Sequence, residues 1–193
     1  MREKIILIGG GGHCKSCIDV IEQGDKFKII GIIDIAEKVG ESIFGYKIIG
    51  TDNDIPKFVK NYRNFLITIG QIHSPDIRIK LFNIIKELGG HFPIIISPSA
   101  YVSQHSKLHE GTIVMHHAIV NAGAVVGVNC IINTKALIEH DAIIGNHCHM
   151  STASTINGGV KVGNCSFYGS EAVSKQDIII PNNSFIKANS IVK

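Results

Sequence analysis

Residues 113–148 read IVMHHA IVNAGA VVGVNC IINTKA LIEHDA IIGNHC, which is a run of six hexapeptides with an aliphatic residue in the second place of each. The same frame extends in steps of six over residues 102–192. Fourteen of these sixteen positions are aliphatic or Met, and the exceptions are Tyr168 and Ser174. Four residues after each such position, the side chain is small at thirteen of fifteen places.

This period predicts a solenoid. An amphipathic α-helix cannot keep a period of six over about ninety residues, because roughly 3.6 residues per turn would carry the apolar stripe around the cylinder. Three hexapeptides instead form one triangular coil, and successive coils stack about 4.8 Å apart, which is the spacing of paired strands. The aliphatic residue fills the interior and the small residue fits the corner. We therefore predict an uninterrupted parallel β-prism of about five coils.

The residue before each interior aliphatic points outward in such a prism, because side chains alternate between the two faces of a strand. Outward positions in the later coils, at His149, Thr155 and Lys161, are polar. The six preceding ones are apolar, and an exposed apolar surface of this extent is a liability in a monomer. We therefore predict an interface between subunits, formed by Ile113, Ile119, Val125, Ile131, Leu137 and Ile143.

The first half of the chain has a different rhythm. Residues 4–8 form a β-branched run that stops at the glycines of residues 9–12, and residues 13–23 follow as a predicted helix. A second apolar run, residues 29–33, ends at Asp34, as expected for a parallel strand that delivers a side chain to the carboxyl edge of a sheet. Further elements are predicted as a strand over 64–70, a helix over 76–88 and a strand over 92–96.

These patterns predict two domains. Ser97, Pro98 and Ser99 mark the boundary, since proline and small polar residues are typical of connections. Residues 1–96 are predicted to form a Gly-rich, Rossmann-like α/β domain, and residues 97–193 an all-β parallel β-helix.

Composition excludes several classes of protein. The formal net charge is +3, from 19 basic and 16 acidic residues spread without runs, so the electrostatic footprint of a nucleic-acid-binding protein is missing. The apolar run before the glycines is too short for a signal peptide or a membrane span. The five cysteines are an odd number, which together with the lack of a signal peptide predicts a cytoplasmic location. We expect neither nucleic acid nor membrane as a partner.

Most of the polar side chains that could carry chemistry fall within little more than two hexapeptides. His140 should project outward, and its stacking neighbours eighteen residues away are Ala122 and Gly158. Small neighbours leave space beside the imidazole, as a general base needs if a substrate amine is to approach. Asp141 or Glu139 would then orient the ring. A solvated polar face is the alternative interpretation.

Two rival constellations are discounted. His147, Cys148 and His149 suggest zinc, but Cys148 occupies the small interior position and the two histidines flank it, so one metal would not meet all three. Cys14 and Cys17 have the spacing of a redox pair, but a helix start after the glycine loop explains this segment better. We therefore expect no metal.

The glycine run before the first helix resembles a phosphate cradle, because backbone amides and a helix N-terminus both favour an anion. It lacks the GxGxxG spacing, since the third required glycine falls at Cys14. The first domain has room for one mononucleotide-binding half, so a nicotinamide dinucleotide is not expected. Asp34 either contacts a base or ribose, or ends its strand as a turn residue.

Two family resemblances follow from these motifs. The hexapeptide frame resembles the hexapeptide acyltransferase superfamily, whose left-handed β-helices usually form trimers. Over nearly the whole chain, the order of motifs is similar to that of the NeuD/PglD-type sugar acetyltransferases. The matching segments are the glycine loop ending in His13, then Ile33-Asp34, Ile69-Gly70, Asn133-Thr134, Glu139-His140-Asp141 and His149.

The resemblance implies site residues position by position. His140 would be the catalytic base and Asp141 its carboxylate partner, with Glu139 beside it. The acceptor amine would lie near Asn133 and His13. The sugar nucleotide would be held by Gly10, Gly11, Gly12, His13, Asp34 and Gly70. The coenzyme would contact His149, at its acetyl carbonyl, and a groove lined by Gly158, Gly169 and Ser170.

The resemblance also implies an activity, namely acetyl-CoA-dependent N-acetylation of the amino group of a nucleotide-linked amino-dideoxy sugar, by a homotrimer with active sites between subunits. A UDP-linked 4-amino-4,6-dideoxy sugar is favoured. Asp34 is followed by Ile35, where a second acidic residue is frequent in the family, so the base is left open. The alternatives are a sialic acid-type O-acetyltransferase and a non-catalytic trimeric scaffold that binds a sugar nucleotide.

Overall fold

The computed structural model describes residues 2–193 of the chain. These residues divide into two compact units. The N-terminal unit comprises the residues up to Gly70 together with Asp76–Pro93, and the β-helix unit comprises Gln71–Pro75 together with Ile94–Lys193. In residues 2–193, no helix has the length and hydropathy that crossing a membrane requires.

The N-terminal unit has an α/β fold, in which a five-stranded sheet is accompanied by helices. In chain order its elements are β1 (Glu3–Ile8), α1 (Gly12–Gln23), β2 (Phe27–Ile33), a 3₁₀ turn (Ala36–Lys38), β3 (Ser42–Ile43), β4 (Tyr46–Gly50), a 3₁₀ turn (Asp52–Asp54), α2 (Ile55–Asn61), β5 (Asn64–Ile67) and α3 (Asp76–Glu87). The strand order is β3-β4-β2-β1-β5, and every pairing is parallel except the β3-β4 hairpin. β1 lies between β2 and β5 and is buried from Ile5 onward, as expected for the strand that carries the glycine loop.

Two predicted strands are shorter in the structure. The strand predicted over 64–70 ends at Ile67, because the guanidinium group of the buried Arg78 takes the carbonyl groups of Ile67 and Ile69 as hydrogen-bond acceptors. Of the strand predicted over 92–96, only Ile95–Ile96 is extended, and it pairs with the β-helix. The division between the units accordingly lies at 93/94, where we predicted 96/97.

The β-helix unit repeats one short strand every six residues. Within residues 94–193, the seventeen strands in chain order are β6 (Ile95–Ile96), β7 (Tyr101–Val102), β8 (Lys107–Leu108), β9 (Ile113–Val114), β10 (Ile119–Val120), β11 (Val125–Val126), β12 (Ile131–Ile132), β13 (Leu137–Ile138), β14 (Ile143–Ile144), β15 (His149–Met150), β16 (Thr155–Ile156), β17 (Lys161–Val162), β18 (Phe167–Tyr168), β19 (Val173–Ser174), β20 (Ile179–Ile180), β21 (Phe185–Ile186) and β22 (Ile191–Val192).

Every third strand belongs to the same parallel sheet, with residues eighteen apart in register, as for Ile119 and Leu137. We call the three sheets faces A, B and C. Face A contains β7, β10, β13, β16, β19 and β22, face B contains β8, β11, β14, β17 and β20, and face C contains β6, β9, β12, β15, β18 and β21. This arrangement is the predicted prism, with the predicted aliphatic residues in its interior.

The small corner residues do more than fit a tight turn. Thr112, Cys130 and Cys148 stack in one corner, and each donates a side-chain hydrogen bond to a backbone carbonyl fifteen residues further along. These bonds satisfy carbonyl groups that the turns would otherwise leave unpaired. The cysteines of the prism are free thiols in this structure, and Cys130 and Cys148 act as small hydrogen-bonding residues.

Part of the predicted apolar interface is already buried within the single chain. Ile113 and Ile131, both on face C, are already buried in the single chain, so they cannot form an exposed contact surface. The other four predicted residues retain exposure and lie on the two remaining faces, Ile119 and Leu137 on face A and Val125 and Ile143 on face B. The period of six explains this division, because consecutive hexapeptides occupy consecutive faces.

Candidate active site

His140 lies in the turn between β13 and β14, at the corner where face A meets face B. Its Nδ1 atom is 2.9 Å from Oδ2 of Asp141. Asp141 has a φ of 60°, a left-handed conformation that recurs at the same turn position of neighbouring hexapeptides, as at Lys135 and His147. A carboxylate accepts the proton of Nδ1–H, which leaves the lone pair on Nε2. Both side chains are accessible, with 65% and 72% of their surfaces exposed.

The electrostatic surroundings of His140 favour its protonated form. The hydrogen bond to Asp141 raises the pKa of His140, and the charge of the same carboxylate acts in that direction. Glu139 and Asp177 add further negative charge nearby. Sequence reasoning missed Asp177, although it lies 36 residues after Asp141 in the same frame position, two coils along the stack. The imidazole of His140 therefore takes up a proton readily, and the neighbouring carboxylate stabilises its charged form.

The Nε2 edge of the His140 ring lies against Gly158. A Cβ atom placed on Gly158 would lie 2.7 Å from His140 Nε2, so the imidazole occupies space that only glycine leaves free. Glu139 has a different task, because its Oε2 atom accepts hydrogen bonds from the amide of His140 and from Asn121 Nδ2, each at 3.0 Å. Glu139 therefore braces the turn and does not orient the ring. The predicted place of Gly158 in the coenzyme groove stays a prediction.

Asn133 and His149 form a second pair. Nδ2 of Asn133 is 3.0 Å from Nε2 of His149, and the Asn133 Oδ1 atom accepts the amide of Thr134 at 2.8 Å. On the other side of the ring, Nδ1 of His149 is 2.6 Å from the carbonyl oxygen of Gln71. These partners assign the proton to Nδ1 and make Nε2 an acceptor from the Asn133 amide. His149 is buried, and because its ring is held by Gln71, its Nε2 atom can orient the Asn133 amide.

The glycine loop divides into two structural and two open positions. Gly9 has a φ of +103°, and a Cβ there would collide with Ile69. A Cβ on Gly10 would lie 2.7 Å from an Asp34 carboxylate oxygen. A Cβ on Gly11 or Gly12 would meet no atom within 4 Å, and the N-cap position Gly11 makes no side-chain cap. Side chains at these two positions would therefore project into open space, beside a helix N-terminus where an anion could be bound.

Asp34 is held by groups of the protein itself. Its carboxylate accepts hydrogen bonds from the amides of Gly10 (3.0 Å) and Ile35 (2.9 Å) and from Lys38 Nζ (3.0 Å). Burial by itself would raise the pKa of Asp34, but the hydrogen bonds from Lys38 and the two amides lower it. Asp34 thus ties the end of β2 to the glycine loop. A contact of this residue with a base or ribose stays a prediction.

His13 and Gly70 meet in the N-terminal unit. A Cβ on Gly70 would lie 3.6 Å from the Cβ of His13, which is an ordinary contact distance. His13 Nε2 is 3.4 Å from the Cys17 thiol, one helical turn further along α1. Burial raises the pKa of Cys17 well above its ordinary value and that of Cys14 to about 11. Both thiols are therefore protonated, and they do not form a reactive redox pair.

The remaining predicted residues lie in the later coils. A Cβ on Gly169 would lie 2.5 Å from the amide of Ala188, so this glycine permits the next coil to stack. The Ser170 hydroxyl is 3.0 Å from that of Ser151. Of the residues that the structure describes, no three His, Cys, Asp or Glu side chains come together as a metal site would require. Coenzyme contacts of Gly169 and Ser170 stay predictions.

Comparison with known proteins identifies the family. The family model of the PglD N-terminal domain matches residues 4–85. The structure of PerB from Caulobacter crescentus, in complex with CoA and GDP-perosamine, is 30% identical over 98% of this chain and 88% of that chain, with a TM-score of 0.91. The chain belongs to the NeuD/PglD-type sugar acetyltransferases. This family membership confirms the resemblance seen in the sequence.

Two further solved structures are similar to this chain. A variant of perosamine N-acetyltransferase from Caulobacter crescentus, with CoA and GDP-perosamine, is 29% identical over 98% of this chain and 88% of that chain, with a TM-score of 0.92. The acetyltransferase domain of PglB from Neisseria gonorrhoeae, with acetyl coenzyme A, is 24% identical over 100% and 93% of the two chains, with a TM-score of 0.90. The predicted left-handed parallel β-helix is thereby confirmed.

A substitution in the glycine loop distinguishes a ligand site from a structural turn. Gly11→Val should raise the KM for the sugar nucleotide severalfold and leave that for acetyl-CoA nearly unchanged, because the new side chain occupies space meant for a phosphate. Steady-state kinetics with each substrate varied in turn measures this. Gly24→Val, at the other end of α1, is the matched control and should change neither KM. Equal increases in both KM values with Gly11→Val would show that the loop has a structural role only.

Proposed function

We propose that the chain transfers the acetyl group of acetyl-CoA to the amino group of a nucleotide-linked amino-dideoxy sugar. The observation that carries this proposal is the His140–Asp141 pair, whose imidazole is mostly exposed and lies against Gly158. The relatives support the class of substrates, since PerB was crystallised with CoA and GDP-perosamine. The resemblance in sequence favours a UDP-linked 4-amino-4,6-dideoxy sugar, and this finer choice stays a prediction.

In the proposed reaction, Nε2 of His140 accepts the proton of the acceptor amine as its nitrogen bonds to the acetyl carbon. Asp141 holds Nδ1–H and stabilises the imidazolium that forms. Acetyl-CoA supplies an activated thioester, whose carbon–sulfur bond breaks as the carbon–nitrogen bond forms. The proton on His140 then returns to the departing thiolate. The raised pKa of His140 suits this second step, because the protonated form persists beside its carboxylate.

Asn133 and His149 have complementary places in this proposal. His149 commits Nδ1–H to Gln71 and Nε2 to Asn133. The Asn133 amide uses one N–H group on His149 and has a second that can meet a reacting group. We therefore assign the substrate contact to Asn133 and the positioning of its amide to His149. We predicted from the sequence that His149 contacts the acetyl carbonyl, and we now propose Asn133 for this contact.

The placement of these residues supports a trimeric assembly. Asn133 lies in the turn before β13 and His140 in the turn after it, so the two stand at different corners of the prism. One chain presents them at opposite ends of face A, whereas neighbouring subunits could bring one corner of each together. Homotrimer formation with active sites between subunits, like the cytoplasmic location, remains a prediction from the sequence.

An acceptor panel tests the proposed function. Acetyl-CoA is incubated with amino sugars linked to UDP, GDP and dTDP and with sialic acid, and release of the CoA thiol is followed. We expect thiol release with at least one 4-amino-4,6-dideoxy sugar nucleotide. Release with sialic acid alone would favour the O-acetyltransferase. No release with any acceptor, despite nucleotide binding, would favour the non-catalytic scaffold.

A further inference from the structure

A cavity of about 340 Å³ adjoins the glycine loop within the N-terminal unit. Its volume falls within the range of about 300–1,000 Å³ that is typical of small-molecule sites. Gly10, Lys15 and Lys38 line it together with residues of the β3-β4 hairpin. A Cβ on Gly10 would lie 2.9 Å from the tip of Ile43, which shows that the hairpin reaches the loop.

The lining of the cavity carries charges of both signs, with Lys15 and Lys38 as its cations. Lys15 lies in the first turn of α1, which directly follows the glycine loop. Lys38 donates a hydrogen bond to Asp34, whose carboxylate also holds the amide of Gly10. Lys38 is thus paired with Asp34, whereas the ammonium group of Lys15 beside a helix N-terminus is a setting that favours the phosphates of a nucleotide. Neither lysine was singled out from the sequence.

The lining also includes an exposed aromatic residue, Phe44, in an unusual backbone conformation. The hairpin turns at Phe44 and Gly45, with φ values of 48° and 86°. Such turns ordinarily use Asn or Gly, and a bulky side chain in the left-handed region is an outlier. Phe44 is nevertheless 63% exposed, so packing inside the chain does not account for it. An exposed aromatic side chain that is kept at this cost indicates a ligand.

Glu41 lies between Lys38 and Phe44 in the chain, and its amide donates to the carbonyl of Lys38 at 3.0 Å. It lines the cavity just before β3, and its backbone carbonyl accepts the amide of Ile48 at 2.8 Å. Its carboxylate offers two acceptors and no donor. In α/β sheets of this kind, the phosphates lie at the first loop and the base lies beyond the end of the second strand. Glu41 and Phe44 follow the second strand, β2, and so occupy the place of the base.

We propose that this cavity binds the nucleoside diphosphate of the acceptor and that Glu41 selects guanine; this inference rests on the proposed function. Guanine presents two adjacent N–H donors on its pairing edge, which match the two oxygens of a carboxylate. Uracil and thymine present one N–H group between two carbonyl oxygens, which a carboxylate repels. Phe44 stacks on the base, and Lys15 and Lys38 face the diphosphate. The inference replaces the uridine favoured by the resemblance.

Calorimetric titration with free GDP and free UDP tests the choice of base. The wild type should bind GDP about tenfold more tightly than UDP, since hydrogen bonds to charged groups contribute about this factor or more. Glu41→Gln should weaken GDP binding by about tenfold and change UDP binding little. Glu37→Gln, a neighbouring exposed carboxylate that does not line the cavity, is the matched control and should change neither. Equal affinities in the wild type, or equal effects of Glu41→Gln on both ligands, would overturn the proposal.

Phe44→Asn tests the stacking contact separately. Asparagine tolerates the left-handed conformation, so the melting temperature should stay the same or rise. Binding of GDP and of UDP should both weaken, by about fivefold or more, because stacking does not depend on the base. Unchanged binding of both would exclude this place for the base. Since free nucleotides are used, GDP binding without acetyl transfer would refute the proposed function alone, and transfer to a UDP-linked sugar without preference for GDP would refute this inference alone.

Discussion

His140→Ala should lower kcat for acetyl transfer by about 10²–10⁴-fold, which is the usual effect of removing a general base. Asp141 holds Nδ1 of the imidazole, which leaves the lone pair on Nε2 to accept a proton. The fold should survive, because the side chain is mostly exposed and contributes little to the interior stack. Initial rates of thiol release, with circular dichroism to verify folding, measure both effects.

Gln104→Ala is the matched control for this substitution. Gln104 is exposed and occupies the equivalent turn position two coils earlier, so its loss should leave kcat within about twofold of the wild type. Near wild-type turnover of His140→Ala at neutral pH would refute the role of this residue as a base. The search would then move to His13, the other histidine predicted near the acceptor amine.

The pH profile provides a second measure of the same pair. The neutral imidazole is the base, so kcat/KM should rise with pH through the pKa of His140. The hydrogen bond to Asp141 raises that pKa above the ordinary value of 6.5, and the midpoint should therefore lie above 6.5 in the wild type. Asp141→Asn should move the midpoint to lower pH and reduce kcat less than His140→Ala does. An unchanged midpoint would show that Asp141 does not act on the base.

Stability and activity should depend on pH in opposite directions. A pKa raised by folding means that the ion pair stabilises the fold below the ordinary pKa of histidine, and this contribution is lost as the pH rises through the folded-state pKa. Because both side chains are exposed, the solvent screens the pair and the effect on stability should be small. Activity and stability should therefore separate along the pH axis.

Leu137→Lys should convert the predicted trimer into smaller species and lower activity strongly. Leu137 and Ile119 pair in register on face A, and both keep exposed apolar surface after the chain has folded. A lysine there would place an ammonium group in an apolar contact, which is costly unless the charge is paired. Activity should fall as well, because Asn133 and His140 stand at different corners of one chain. Light scattering on a sizing column, combined with the thiol-release assay, measures both.

Ile179→Lys is the control for the interface. Ile179 is also an outward isoleucine, but it lies on face B in a later coil and is 76% exposed. Its replacement should leave the assembly intact. A wild-type chain that runs as a monomer at micromolar concentration would contradict the interface, and so would the loss of assembly in both variants.

The prediction of the interface illustrates where sequence reasoning reached its limit. The alternation of side chains correctly identified the six outward apolar residues, since direction relative to a strand is a local property. It could not show that Ile113 and Ile131 would be buried within the same chain. Whether an outward residue meets solvent depends on which other segment lies over it, and that is a property of distant contacts.

The candidate site shows the same division. The outward direction of His140 and the small residue at position 158 followed from the frame, because stacking neighbours are always eighteen residues apart. The partners of His149 did not, since Gln71 lies 78 residues away and outside the repeat. Asp34 was placed correctly at a strand end, but its hydrogen bonds to Gly10 and Lys38 depend on how loop and turn meet.

The sequence by itself determined the β-helix, its interior and the order of its corners, because a strict period of six has one compact solution and every coil repeats it. The tertiary structure alone decided the proton positions on His149, the tie between Asp34 and the glycine loop, and the cavity beneath Phe44. These features arise where non-repeating segments meet, through contacts between residues far apart in the chain. No local periodicity encodes such contacts, so they form only in the folded tertiary structure.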